Sequence, residues 1–173
     1  EAISSSPDLE TIFEPGPRSA KRVDAAREEV RKLEPGLLHR KGNFLSNNNG
    51  RRISVFRPER VQVGSLGVTG DGVHPGLSYA FSSAVQGEEV VARGGKQPVQ
   101  RQGDTVVYDR GRILEKYILT EDGVEQFFEI PTPMGNGDLV VTGKLTSNLD
   151  PVPGENGISF QKDGVELGYY REA

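Results

Sequence analysis

The side chains that could do chemistry in this chain fall close together, between Glu115 and Phe128. In a strand, alternate residues share a face. That parity turns Glu115 and Tyr117 toward an apolar side and sets Gln126 among Val124, Phe128 and Ile130. A carboxylate placed there could act as a general acid or base, but glycoside hydrolysis needs a second one about 5–10 Å away. The spacing nominates no such partner. Glu115 therefore reads as a strand-end carboxylate, snorkelling or paired with an arginine, and Gln126 as a buried amide that hydrogen-bonds strands or a loop together. Tyr117, Phe128 and the turn glycine Gly123 complete this structural set, with no catalytic role expected. Phe127 falls on the opposite, polar face, where an aromatic ring either covers another element or marks a partner surface. Together with Glu125 it is the candidate contact for a glycan or protein ligand.

Other chemistries find little support. The two histidines, His39 and His74, have no His, Asp or Glu at metal-ligand spacing, and the chain has no cysteine, so neither a metal nor a thiolate nucleophile is expected. Gly64-Ser65-Leu66-Gly67 is not a nucleophile elbow. The glycines of the 64–76 stretch lack the Gly-Lys-Ser/Thr ending and the following helix that a phosphate cradle requires. Thr69-Gly70-Asp71-Gly72 and Gly135-Asn136-Gly137-Asp138 offer too few oxygens for calcium, and read as turns or bulges. With no Trp, and with Tyr79, Phe81, Tyr108, Tyr169 and Tyr170 in strand patterns, the aromatics are assigned mostly to core packing. No cofactor is expected.

The elements that hold these residues follow from composition and periodicity. Of 173 residues, 34% are hydrophobic, with 22 Gly and 11 Pro, a balance that favours many short strands joined by turns. A net charge of −4 without a basic stripe argues against nucleic acid, and no run approaches the ~20 apolar residues of a membrane helix. Residues 1–36 are expected to form an extended segment and a helix between Pro17 and Pro35, striped by Val23, Ala26, Val30 and Leu33. Residues 37–173 are expected to form a β-sandwich domain, part of a longer protein with downstream domains. The predicted strands are 52–57, 60–66, 77–85, 88–93 and 99–108.

Two Asp-Gly dipeptides predict hairpins. A two-residue turn at Asp122-Gly123 opposes Leu119 with Gln126, Tyr117 with Phe128 and Glu115 with Ile130, and pairs Lys116 with Glu129 on the outer face. A turn at Asp163-Gly164 opposes Phe160 with Leu167 and Ile158 with Tyr169, while Gln161 and Glu166 point the other way. Leu139, Val141 and Leu145 alternate with Val140, Thr142, Lys144 and Thr146, a mainly polar set. One apolar and one polar face per segment is the pattern of antiparallel sheets. The fold class expected is mainly β, an antiparallel β-sandwich with a short N-terminal α-helix.

Three runs, Gly111-Arg-Ile-Leu-Glu-Lys-Tyr117, Asp122-Gly-Val-Glu-Gln-Phe-Phe128 and Pro133-Met-Gly-Asn-Gly-Asp-Leu-Val140, carry a resemblance. Their order is similar to the N-terminal β-sandwich module of large bacterial secreted or surface proteins, which often carry FG-GAP (integrin-like) or other repeats. Gly123, Glu125, Gln126 and Phe128 match its turn-and-strand motif, while Val124 and Phe127 replace a Leu and a Gly. The resemblance implies an extracellular or cell-surface location and a structural or adhesive role, without catalytic residues. The alternatives are a carbohydrate- or protein-binding domain and an accessory domain of a larger hydrolase.

Overall fold

A computed structural model describes residues 36–40, 43–48, 52–65, 76–120, 123–132 and 135–171. Fourteen strands make up these residues, and no helix occurs among them. The helix expected between Pro17 and Pro35, and the glycine-rich connection after Ser65, lie outside the described residues. The chain is mainly β, in three antiparallel sheets.

The first sheet is a meander of β1 (Gly36–Arg40), β2 (Asn43–Asn48), β3 (Arg52–Phe56), β4 (Val61–Ser65) and β5 (Gly76–Gln86). Strand β5 is long enough to pair with β4 over its first half and with β6 (Glu89–Arg93) over its second. Its other edge is covered by β11 (Leu139–Ser147). The second sheet is the meander β7 (Val99–Gln102), β8 (Thr105–Asp109), β9 (Leu114–Leu119) and β10 (Val124–Glu129). The third is β12 (Asp150–Gly154), β13 (Gly157–Lys162) and β14 (Val165–Arg171). Pro151 and Pro153 sit in β12, an edge strand, where a missing N–H costs no ladder bond.

Two buried clusters join the first two sheets. One gathers Phe56 and Val61 with Val106, Tyr108 and Tyr117; the other gathers Phe81, Ala84, Val91 and Ala92 with Ile113, and Phe128, Leu139 and Val141 lie against it. Tyr117 meets Phe56 and Tyr108 edge-on, at 5.5 and 5.9 Å between ring centres, the arrangement the ring quadrupoles favour.

Several sequence expectations are corrected here. The run 99–108 is two strands, because Gly103 takes φ 62° and Gln102 pairs with Thr105 across a Gly103-Asp104 reversal. The 114–129 hairpin closes on a reciprocal Thr120–Gly123 pair (3.0 and 3.4 Å), not on Asp122-Gly123. Leu119 therefore opposes Val124, Tyr117 opposes Gln126 and Glu115 opposes Phe128. The slip is two residues, so every side chain keeps its assigned face, and Lys116 still reaches Glu129 (2.5 Å), diagonally rather than directly. Ile130 lies beyond β10 and is exposed.

The Asp163-Gly164 turn is as expected, with φ of 53° and 77° at its two residues and Lys162 opposite Val165. A bulge then inserts Leu167. Phe160 opposes Gly168, Ser159 opposes Tyr169 and Ile158 opposes Tyr170. A bulge is one extra residue, and it reverses the parity of everything beyond it. Similar register shifts at β5–β11 and β5–β6 explain why Phe81 and Ala84, and the adjacent Val91 and Ala92, are all buried.

Candidate functional site

The polar centre of the molecule is built from the turn that precedes β9. Asp109 accepts a bond from the Gly111 N–H (2.8 Å) through Oδ1, and the Arg110 N–H donates to Ile113 O (3.0 Å). This tight turn folds the Arg110 side chain back along β9. Its Nε (2.9 Å) and Nη2 (2.7 Å) both reach Glu115 Oε2, with side chains only 3% and 1% exposed. Nη1 donates to Gly95 O (3.2 Å). The guanidinium lies 4.9 Å from the ring centres of both Phe81 and Tyr108, so it bridges the two apolar clusters through their aromatic faces.

Glu115 Oε1 is used as fully as Oε2. It accepts from the Tyr117 hydroxyl and from Gln126 Nε2 (2.9 Å). The Gln126 amide also donates to the Tyr117 oxygen (2.9 Å), and its Oε1 accepts from the Tyr170 hydroxyl of β14 (3.2 Å). The network thus links Tyr170 of the third sheet to Glu115 through Gln126 of the second. Burial first, and then the Glu115 carboxylate, push the Tyr79 hydroxyl of β5 up to about 12, against a lowering by Gln126. The same two causes in the same order raise Tyr108, Tyr117 and Tyr170. These phenols are therefore neutral at neutral pH, with no tendency to act as bases.

What this arrangement can do chemically is limited by its completeness. Four donor contacts saturate the two carboxylate oxygens, leaving no lone pair aimed at a substrate. Among the described residues no group of three His, Cys, Asp or Glu could hold a metal ion. A cavity of about 380 Å³ lies elsewhere, lined by Leu145, Leu149, Pro151, Ile158 and Phe160, with no titratable side chain in its wall. The Gly135–Asp138 loop is held by Gln86, whose Nε2 donates to the carbonyls of Gly135 (2.7 Å) and Gly137 (3.1 Å). Those two oxygens point at an amide.

Of the residues nominated from sequence, Glu115, Tyr117 and Gln126 meet in this network. Phe128 packs 6.2 Å from Phe81 beneath it, and Gly123 closes the hairpin that sets their register. Glu125 and Phe127 are not part of it. They occupy the other face of edge strand β10, opposite Ile118 and Lys116, with Glu125 exposed and Phe127 half-buried. His39 falls in β1 and His74 outside the described residues.

Arg110, Tyr79 and Tyr170 were missed by sequence reasoning. The one signal for Tyr79 was Gly143, a lone glycine inside an otherwise alternating strand, which marks a close approach. A Cβ there would stand 2.2 Å from the Tyr79 ring. No protein-family model, curated protein or solved structure matches this chain.

Proposed function

We propose that the chain is a non-catalytic structural and adhesive module of a secreted or cell-surface protein, with its first two sheets facing each other as an antiparallel β-sandwich. The observation that carries this is the saturation of Glu115. The most deeply buried carboxylate among the described residues is spent on Arg110, Tyr117 and Gln126, and so serves cohesion between sheets rather than turnover. Tyr170 ties the third sheet to Gln126, and the guanidinium that Glu115 holds stacks on Phe81 of the first, as suits a module that must hold its shape while presenting a surface. The two apolar clusters shared by the first and second sheets support the sandwich arrangement. The likeness of residues 111–140 to secreted bacterial modules supports the location.

The test is a panel of chromogenic glycoside, ester and peptide substrates assayed beside thermal melts of wild type and Glu115→Gln. No turnover by either protein, with a clearly lowered melting temperature for the variant, is the expected result. Turnover that Glu115→Gln abolishes while leaving the melt in place would overturn it.

A further inference from the structure

The bulge at Leu167 separates two adjacent tyrosines. Tyr170 reaches Gln126 on the face of Phe160 and is 41% exposed, whereas Tyr169, 44% exposed, stands on the opposite face with Gln161 and Glu166, although the sequence pattern had assigned it to the core side. The registers of the third sheet define that outer face as three cross-strand rows. Asp150, Gln161 and Glu166 form one, Val152, Ser159 and Tyr169 the next, and Gly154, Gly157 and Arg171 the last.

We propose that this face binds a pyranose oligosaccharide. The middle row supplies an apolar floor, with the Tyr169 ring and the exposed Val152 on either side of Ser159. Two inter-strand spacings make that row about 10 Å long, the length of two linked sugar rings. The glycine row beside it carries no side chain on β12 or β13, so a flat ring can lie against the tyrosine without obstruction. Along the other side runs a fixed polar edge. Gln161 Nε2 donates to Ser159 Oγ (3.1 Å), which donates to Glu166 Oε2 (2.6 Å). Ser159 itself is only 8% exposed, with its hydroxyl held by both neighbours.

The charges match a hydroxyl-rich ligand. Among the described residues neither Asp150 nor Glu166 has an ion-pair partner, so the first row is an acceptor edge suited to sugar hydroxyl donors. Arg171, across the tyrosine, offers donors to a ring oxygen or a uronic carboxylate. An aromatic ring between an acceptor edge and a donor is the pattern of a mostly apolar surface with a few placed polar groups. The ligand class deepens the adhesive role proposed above and rests on it, while the face stands on its own side chains.

Calorimetry of the whole chain with cellohexaose, chitohexaose and oligogalacturonate tests the proposal, with Tyr169→Ala, Glu166→Gln and Tyr170→Phe as variants. Binding to at least one of these sugars is expected, weakened tenfold or more by Tyr169→Ala and by Glu166→Gln without loss of the folded circular dichroism signal. Tyr170→Phe should lower the melting temperature and leave affinity unchanged. Should Tyr169→Ala fail to fold, Glu166→Gln and the sugar-induced NMR shifts of β13 and β14 decide. No binding to any of the three sugars at millimolar concentration, or binding that Glu166→Gln leaves intact, overturns the saccharide face but not the structural module. Turnover of a chromogenic substrate that depends on Glu115 would sink the module whatever this face binds.

Discussion

Replacing Arg110 with methionine would strip the buried Glu115 carboxylate of both guanidinium bonds, 2.9 and 2.7 Å, and leave it to Tyr117 and Gln126 alone. Removing one partner of a pair this deeply buried costs about 3–5 kcal/mol, most of it for a charge left without its counter-ion. Contact of the methionine sulfur with the Phe81 and Tyr108 rings recovers a little of the lost cation–π stacking. At about 2–4 °C per kcal/mol for a chain of this size, the melting temperature should fall by roughly 6–20 °C.

The double variant Arg110→Met/Glu115→Leu removes both charges. Its remaining penalty is the acceptor lost to Tyr117 and Gln126, about 1–3 kcal/mol. It should therefore be more stable than Arg110→Met alone, with a coupling energy of at least ~2 kcal/mol in the mutant cycle. Urea unfolding followed by circular dichroism at pH 7 measures all four proteins, and a common m-value establishes that only stability has changed. Additive effects, or a loss under ~1 kcal/mol for Arg110→Met, would refute the claim that this arginine holds the carboxylate.

Other consequences are open to measurement. Gln126→Ala removes donors from Glu115 and Tyr117 and the acceptor of Tyr170. It should cost about 1–3 kcal/mol in a urea melt and speed amide exchange in the third sheet. Gly143→Val drives a Cβ into the Tyr79 ring and should destabilise by about 1–3 kcal/mol, an effect that Tyr79→Ala relieves in a double-variant melt.

Alkali should unfold the protein, with the sign set by the tyrosines. A phenol raised in the folded state stabilises it fully below the unfolded value of 10.0, and that contribution is lost as pH climbs through the folded value, about 12 for Tyr79. Tyr79, Tyr108 and Tyr117 are all raised, each withdrawing up to ~1.4 kcal/mol per pH unit above 10. The tyrosinate absorbance of these three should therefore rise together with loss of the β signal, and their gradual ionisation in an intact fold would contradict the burial.

The strands were legible wherever apolar and polar residues alternate without interruption. Faces in β9 and β10 followed from parity alone, and a hairpin placed two residues off did not disturb them, since a slip of two preserves each face. Arg110 was not legible because it acts from a turn, where period-two reasoning has nothing to say. Its direction is set by the Asp109–Gly111 bond and by Gly111 at φ 93°. The reversal at Gly103 was missed because a Gly-Asp dipeptide was not weighed as a hairpin turn.

Bulges set the deeper limit, because one extra residue inverts every later assignment while leaving composition and spacing untouched. In β14 that inversion has two consequences at once. Without Leu167 as an unpaired residue, strict alternation from Glu166 would send Tyr170 outward and Tyr169 inward. Tyr169 would then stand opposite Ile158, where Tyr170 now reaches Gln126, and Gly168 would take the place of the ring beside Ser159. Which tyrosine ties the third sheet to Gln126 and which lies exposed therefore depends on the same local irregularity. A residue inserted after Gly168 makes a similar exchange, so it should abolish sugar binding by removing the ring beside Ser159, while Tyr169 takes over the phenol position at Gln126. If binding survived the insertion, the ring beside Ser159 would not be the floor of the sugar-binding face.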